Sequence, residues 1–295
     1  MAETRDPQGP DRYTGLRRRW WQLRLVLPLV LRNLVGRRAV TSPGTGPVVS
    51  LTTFGVRTAR VHLAIESIGR GSLLPSRLVL WLDDPAQLAN LPRSLRRLER
   101  RGLEIRQSEN YGPHTKYFPY VMSLETHLVP LVTADDDTVY PREWLAALRA
   151  AHRETPDHVV CHRARRITLD DDAAIEPYTR WRFVTDSAPS PLNLATGVSG
   201  VLYPVAMLHA LRDAGESFRE CAPRTDDIWL HAVALRSGVP VRQLDARAGL
   251  FPLVPSTQAV SLVADNVHGP GNDDAVRRTY GADDLAALRA AAAAG

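Results

Sequence analysis

Residues 128–141 read Leu128-Val-Pro-Leu-Val-Thr-Ala-Asp-Asp-Asp-Thr-Val-Tyr-Pro141, an apolar run that ends in three consecutive carboxylates. Such a run fits a strand buried on both faces of a parallel sheet, which puts Asp135, Asp136 and Asp137 at the carboxyl edge of that sheet. In open α/β sheets that edge is where ligands bind, because clefts open between the strand ends and the loops that follow. Side chains alternate along extended chain, so Asp135 and Asp137 are expected to point one way and Asp136 the other. Paired hard oxygens with open positions suit Mg²⁺ or Mn²⁺, which complete their shells with water and substrate phosphates. The plainer alternative is an acidic turn leading into a helix at Trp144 and Leu145.

Outward from this stretch, apolar runs alternate with helical patterns. Residues 48–52 read as the first strand, and 53–57, with Thr53 and Arg57, as a loop at the binding edge. A helix over about 58–69, a strand over 77–82, the acidic turn Asp83-Asp84-Pro85, a helix over 91–101 and a strand over 103–106 follow. This βαβαβ alternation predicts a parallel sheet with right-handed crossovers. Beyond the acids come a helix over 142–153, a strand over 158–161 and a polar region to Asn193. Gly197 and Gly200, in a loop running into a short strand, permit close approach of a ligand. Thr225-Asp-Asp227 opens a capped helix, 240–244 is a last strand, and the Ala-rich end from Asp283 is a surface helix.

With 295 residues the chain is long enough for one large domain, and its formal charge is +5. The charge is uneven: residues 1–47 hold nine Arg against Glu3, Asp6 and Asp11, a local +6, so the remainder sums to about −1. The basic pI is therefore no argument for nucleic-acid binding. Residues 16–38 form an Arg-rich, Trp-bearing amphipathic stretch whose longest uncharged apolar run, 25–31, is interrupted by Pro28. A bilayer crossing needs about 20 apolar residues. The composition fits a helix lying on an anionic membrane surface, or one packed on its own domain or a partner. Cys161 and Cys221, the only cysteines, fit reduced thiols in a cytosolic protein, peripheral on the inner face of the plasma membrane if the amphipathic stretch binds lipid.

Of 37 cationic side chains only Lys116 is a lysine. A position that keeps lysine against an arginine background calls for a compact ammonium rather than a planar fork, as diphosphate binding does.

Together, 48–53, the Gly-Pro-x-x-Lys element at 112–116, the Thr-Ala-Asp-Asp-Asp run, Gly-x-x-Gly-Val-Leu-Tyr-Pro at 197–204 and Thr225-Asp-Asp227 resemble the nucleotide-sugar-dependent glycosyltransferases of the GT-A fold. The resemblance covers about residues 48–270. It implies a mostly parallel, Rossmann-like α/β sheet flanked by helices, with a nucleotide-binding half at 48–140 and an acceptor half at 141–270. The basic segment 1–47 would precede this domain and a helical tail, 271–295, would follow it. Asp135-x-Asp137 matches the family's Asp-x-Asp motif, which implies metal ligation by Asp137 and Asp135, completed by His268. Nucleotide-sugar contacts are implied for Thr52, Thr53, Arg57, Asp83, Lys116, Asp135 and Asp136, and acceptor contacts for Gly197, Gly200 and Trp229. Thr225-Asp-Asp227 resembles the Thr-Glu-Asp element that carries the base of inverting members. It departs by Asp for Glu at 226, so either Asp226 or Asp227 could be the base, and position favours Asp227. The implied activity is metal-dependent transfer of a sugar from a nucleotide-diphosphate donor to a glycan, lipid-linked or other hydroxyl acceptor. A non-catalytic nucleotide- or sugar-binding protein on the same fold is the alternative.

Overall fold

Alternate residues of strand 77–82 divide the core in two: Val79 and Trp81 pack into one buried cluster, Leu78, Leu80 and Leu82 into another. A strand covered on both faces belongs in the middle of a layered α/β fold. The computed structural model describes residues 15–44, 46–255 and 270–294. Its strands are β1 (Val48–Thr52), β2 (Arg77–Leu82), β3 (Leu103–Gln107), β4 (Leu131–Thr133), β5 (Val159–Cys161), β6 (Ala164–Arg166), β7 (Asn193–Ala195), β8 (Val201–Tyr203) and β9 (Val241–Gln243). Seven form one sheet in the order β3-β2-β1-β4-β8-β5-β9, and β6 pairs with β7 alone. β1 to β4 are mutually parallel, as are β5 and β9, while β8 runs antiparallel between β4 and β5. The fold is thus a mostly parallel, Rossmann-like α/β sheet, as the resemblance implies, with β8 departing from the all-parallel pairing that the strand–helix alternation alone predicts.

The helices are α1 (Gly15–Val35), α2 (Val61–Gly69), α3 (Pro85–Ala89), α4 (Arg93–Glu99), α5 (Phe118–Met122), α6 (Trp144–Glu154), α7 (Val205–Ala214), α8 (Phe218–Cys221), α9 (Asp226–Arg236), α10 (Gly271–Thr279) and α11 (Ala282–Ala294). One face of the sheet packs on α2, α4 and α6 through Ile65, Leu95 and Leu148, the other on α5, α7 and α9 through Val121, Leu208 and Leu230.

β4 is shorter than the apolar run around it. Pairing begins at Leu131, and Leu128 is 86% exposed. Pro130 has no N–H to give a ladder, although its carbonyl accepts the Val48 amide at 3.0 Å. The region to Asn193, which carries no strand signal beyond its polar residues, holds β6 and its partner β7.

The first and last of the described helices are both docked. Glu66 of α2 is fully buried, and a buried carboxylate needs charged partners. Arg101 chelates it, Arg32 of α1 lies 3.0 Å away, and Asn33 donates to it at 3.1 Å. Leu29 is buried beside Leu63 and Val139. The opposite side of α1 carries Leu23, Leu27, Leu31, Leu34 and Val35, all at least half exposed. At the other end, Tyr280 bonds His231 of α9 at 2.7 Å and Asp284 pairs with Arg236 at 2.8 Å. α11 is a surface helix, most of its residues exposed, that packs on the domain through the buried Leu288 and Asp284.

Candidate functional site

Five segments from distant parts of the chain meet at the carboxyl ends of β1 and β4. β1 delivers Thr52 and Thr53, and the following 3₁₀ turn, Gly55–Ala59, presents Arg57. Thr52 Oγ1 donates to the Trp81 carbonyl at 3.2 Å, which ties it to β2. Thr53 Oγ1 donates to Asp136 at 2.5 Å, and Arg57 reaches the other oxygen of Asp136 at 2.9 Å. Burial raises the pKa of Asp136, against the opposing effects of the Thr53 bond and the Arg57 charge. Arg57 also lies 3.4 Å from Asp137. Because β4 ends at Thr133 and the chain turns, strict alternation does not carry through the acids. Asp136 and Asp137 share Arg57, and Asp135 alone turns towards Lys116, 3.2 Å away. The Asp135 amide donates to the Tyr140 hydroxyl at 2.7 Å, which fixes the turn.

Lys116 ends a 3₁₀ turn, Gly112–Lys116, held from beneath by His114. That imidazole lies between the Tyr117 hydroxyl and the Ala222 carbonyl, each at 2.8 Å. Burial pushes His114 down to about 4, so it is neutral at physiological pH. The Lys116 ammonium is buried and directed at acids of the chain itself: Asp135, and Asp226 at 2.9 Å. The second contact is off the axis of a well-formed hydrogen bond and is best described as an ion pair. Burial works against the charge, but Asp135, Asp226 and Asp227 together hold the ammonium well above its usual pKa. Lys116 therefore links two acid motifs that lie about ninety residues apart in sequence.

Asp226 and Asp227 occupy the first turn of α9, where the helix dipole favours anions. Thr225 stands at the N-cap position, but its hydroxyl makes no cap bond, contrary to the capped start its sequence predicts. Asp227 Oδ1 accepts the Gly197 amide at 3.0 Å. A Cβ at Gly197 would stand 2.8 Å from the Lys116 nitrogen and 3.1 Å from Asp227, so a side chain here would force those two charged ends to shift. The carboxyl group of Asp227 is closely surrounded, although the residue as a whole is half-buried. Burial, then the neighbouring Asp226 charge, pushes it up to about 7, while Lys116 pulls it down. A small cavity lined by Tyr203, Met207, Leu230 and Asp227 itself lies alongside.

The remaining expected residues sit differently. Gly200 (φ +90°) is a packing glycine whose Cβ would fall 2.5 Å from the Trp144 ring, and the Trp144 indole donates to Ser199 O at 2.8 Å. Trp229 is 3% exposed and packs edge-on against Phe218, so it belongs to the core and not to an acceptor surface. Asp83 is half-buried at the end of β2, where its neighbour Asp84 caps α3 through the Ala86 amide. His268 lies outside the described residues. Among the described residues no three His, Cys, Asp or Glu side chains converge as a metal cluster. Asp135 and Asp137, the expected ligands, are engaged by different cations, Lys116 and Arg57, so a Mg²⁺ or Mn²⁺ ion completed by phosphate and water would have to displace those contacts.

Tyr140, His114 and Arg163 were not legible as site residues. Arg163 precedes β6, and its Nε donates to Thr196 Oγ1 at 2.7 Å, one residue before Gly197. Its neighbourhood reveals it only once β6 and β7 are paired.

No family model and no curated protein matches the sequence. By architecture the chain is similar to S. aureus TarS 1-349 in complex with UDP, at 14% identity and a TM-score of 0.45, over 70% of this chain and 60% of that one. It is also similar to mannosyltransferase PcManGT from Pyrobaculum calidifontis in complex with GDP-Man and Mn²⁺, at 12% identity and a TM-score of 0.48, over 93% and 84%. A third is the inositol-1-phosphate CTP transferase from T. maritima, at 11% identity and a TM-score of 0.44, over 84% and 98%. What these comparisons concern is the fold. Any chemistry assigned to this chain rests on its own residues.

Proposed function

We propose that the chain is a glycosyltransferase that moves a sugar from a nucleotide-diphosphate donor to an acceptor hydroxyl by a single displacement, with Asp227 as the base. The observation that carries this is the meeting of two acid motifs, 135–137 and 226–227, across the buried Lys116, with Asp227 near neutrality. A general base works best when its pKa lies near the operating pH. The acceptor oxygen forms a bond to the anomeric carbon as the bond to the diphosphate oxygen breaks, and the hydroxyl proton passes to Asp227. Inversion follows from attack opposite the leaving group. The Gly197 amide orients the Asp227 carboxylate, and Lys116 offsets the repulsion among Asp135, Asp226 and Asp227. Thr53 and Arg57 hold Asp136 and so shape the turn that presents Asp135 and Asp137. A divalent cation held by Asp135 and Asp137 would supply charge neutralisation for the leaving diphosphate. The test is to incubate the protein with UDP- and GDP-sugars and Mn²⁺ and to follow nucleoside diphosphate release. Release that Asp227→Asn abolishes is expected; pyrophosphate release from a nucleoside triphosphate instead would mean nucleotidyl transfer.

The outward face of α1 supports a second element of the proposal, contact with an anionic membrane surface. Its exposed leucines are flanked by the exposed Arg37 and Arg38. Apolar side chains inserting at the headgroup level beside arginines on phosphate is how interfacial helices bind. Among the described residues no helix is long and apolar enough to cross a bilayer.

A further inference from the structure

Arg163, just before β6, and Arg165 within it are two residues apart and turn to the same side of the chain, where both meet Phe183. Their guanidinium groups share one ring: Arg163 lies 5.4 Å and Arg165 4.6 Å from the centre of Phe183, and Arg165 also lies 5.2 Å from the Tyr178 ring. Each is tied down from behind, Arg163 to Thr196 Oγ1 at 2.7 Å and Arg165 to the Trp181 carbonyl at 2.5 Å. Both are half-buried, and neither has a carboxylate within ion-pair distance among the described residues. Two like charges, partly withdrawn from water and held close together with no carboxylate in contact, cost free energy that the more distant Asp227 and Asp135 only partly offset at Arg163. An anion joining them would recover it.

The pair's position indicates which anion. β6 continues from β5, and the Thr196 amide donates to Arg163 O at 2.9 Å, so the pair adjoins the segment that holds Asp227. Thr53, Arg57 and the 135–137 turn gather at the ends of β1 and β4, where Lys116 separates Asp135 from Asp226. Resting on the transferase reading above, we propose that Arg163 and Arg165 form an acceptor subsite for an oxyanion, a phosphate or carboxylate carried by the acceptor near the hydroxyl that is glycosylated. Guanidinium forks suit such groups because two N–H donors match two oxygens of the anion. The Phe183 ring, against which both guanidinium groups lie, keeps the two charges side by side.

The experiment is calorimetric titration at low salt with glycerol 3-phosphate and with glucuronate, using glycerol and glucose as neutral controls. Wild-type protein is expected to bind one or both anions and neither control, with affinity that falls as salt rises. Arg165→Gln should weaken binding about tenfold to a hundredfold, the usual range for a lost charge-assisted hydrogen bond. Arg165→Lys, which keeps the charge without the fork, should weaken it less, and melting curves check that both variants fold. Equal anion affinity in wild type and Arg165→Gln overturns the proposal. Displacement of glycerol 3-phosphate by UDP or GDP also overturns it, by giving the pair to the donor. Arginine-dependent anion binding in a protein that no nucleotide stabilises would instead sink the transferase reading and leave the anion site standing.

Discussion

Asp227 Oδ1 accepts the Gly197 backbone amide at 3.0 Å, in a space that a side chain at residue 197 would encroach on. A Cβ at 197 would crowd the Lys116 ammonium and Asp227 together. Gly197→Ala should therefore displace the charged ends while the backbone, whose φ is not left-handed, stays in place. A fall in kcat of about 10- to 100-fold with little change in melting temperature is expected, in line with the usual effect of misplacing one catalytic group. A variant with normal kcat would detach Gly197 from catalysis.

Lys116 touches both acid motifs, through Asp135 and Asp226. Replacing it with Met leaves Asp135 and Asp226 without that partner, and removing one member of a buried ion pair costs on the order of 3 kcal/mol. Because Lys116 lowers the pKa of Asp227, its loss should also move the acidic limb of the pH–activity profile to higher pH. A kinetic profile shows both the direction and whether any activity survives; an unshifted limb would mean that Lys116 and Asp227 do not interact.

The pH dependence of stability follows from the same group. Burial raises the folded-state pKa of Asp227 from 3.8 to about 7, so the folded chain favours its neutral form. The contribution of this group to stability is complete below about 4 and is lost as pH rises through about 7. Asp227→Asn, which is neutral at every pH, should lose less stability than wild type between pH 5 and 8, as measured by denaturant melts at about unit intervals. Parallel pH dependences would show that Asp227 titrates normally.

How much of this was visible in the sequence varies with what the chain offers locally. Strands β1, β2 and β3 announce themselves as apolar runs between helical patterns, and they pair in parallel as that alternation demands. β6 and β7 do not, because Arg165, Arg166 and Asn193 are polar and their pairing is settled by tertiary neighbours such as Phe183. The acids at 135–137 and 226–227 stand out by type and place, but their partners do not. That Lys116 would face carboxylates, that Trp229 would be core and that Gly200 would make room for Trp144 all depend on contacts across long loops, which no local pattern carries.

The exposed leucines of α1 make a separate prediction. Leu27→Glu with Leu31→Glu changes only outward positions, half exposed in the folded chain. The double variant should melt as wild type does while losing sedimentation with phosphatidylglycerol-containing vesicles; equal sedimentation would leave that face without a role at lipid.

The most direct measurement is steady-state transfer by Asp227→Asn beside Asp226→Asn, with donor dissociation constants for each. A base acts on the acceptor in the transition state, so Asp227→Asn should lower kcat by about 10² to 10⁴ with donor affinity nearly unchanged. Asp226→Asn, which removes an ion pair with Lys116 and not the base, should be milder. Full activity in Asp227→Asn, or a larger loss in Asp226→Asn, would contradict the assignment of Asp227 as the base.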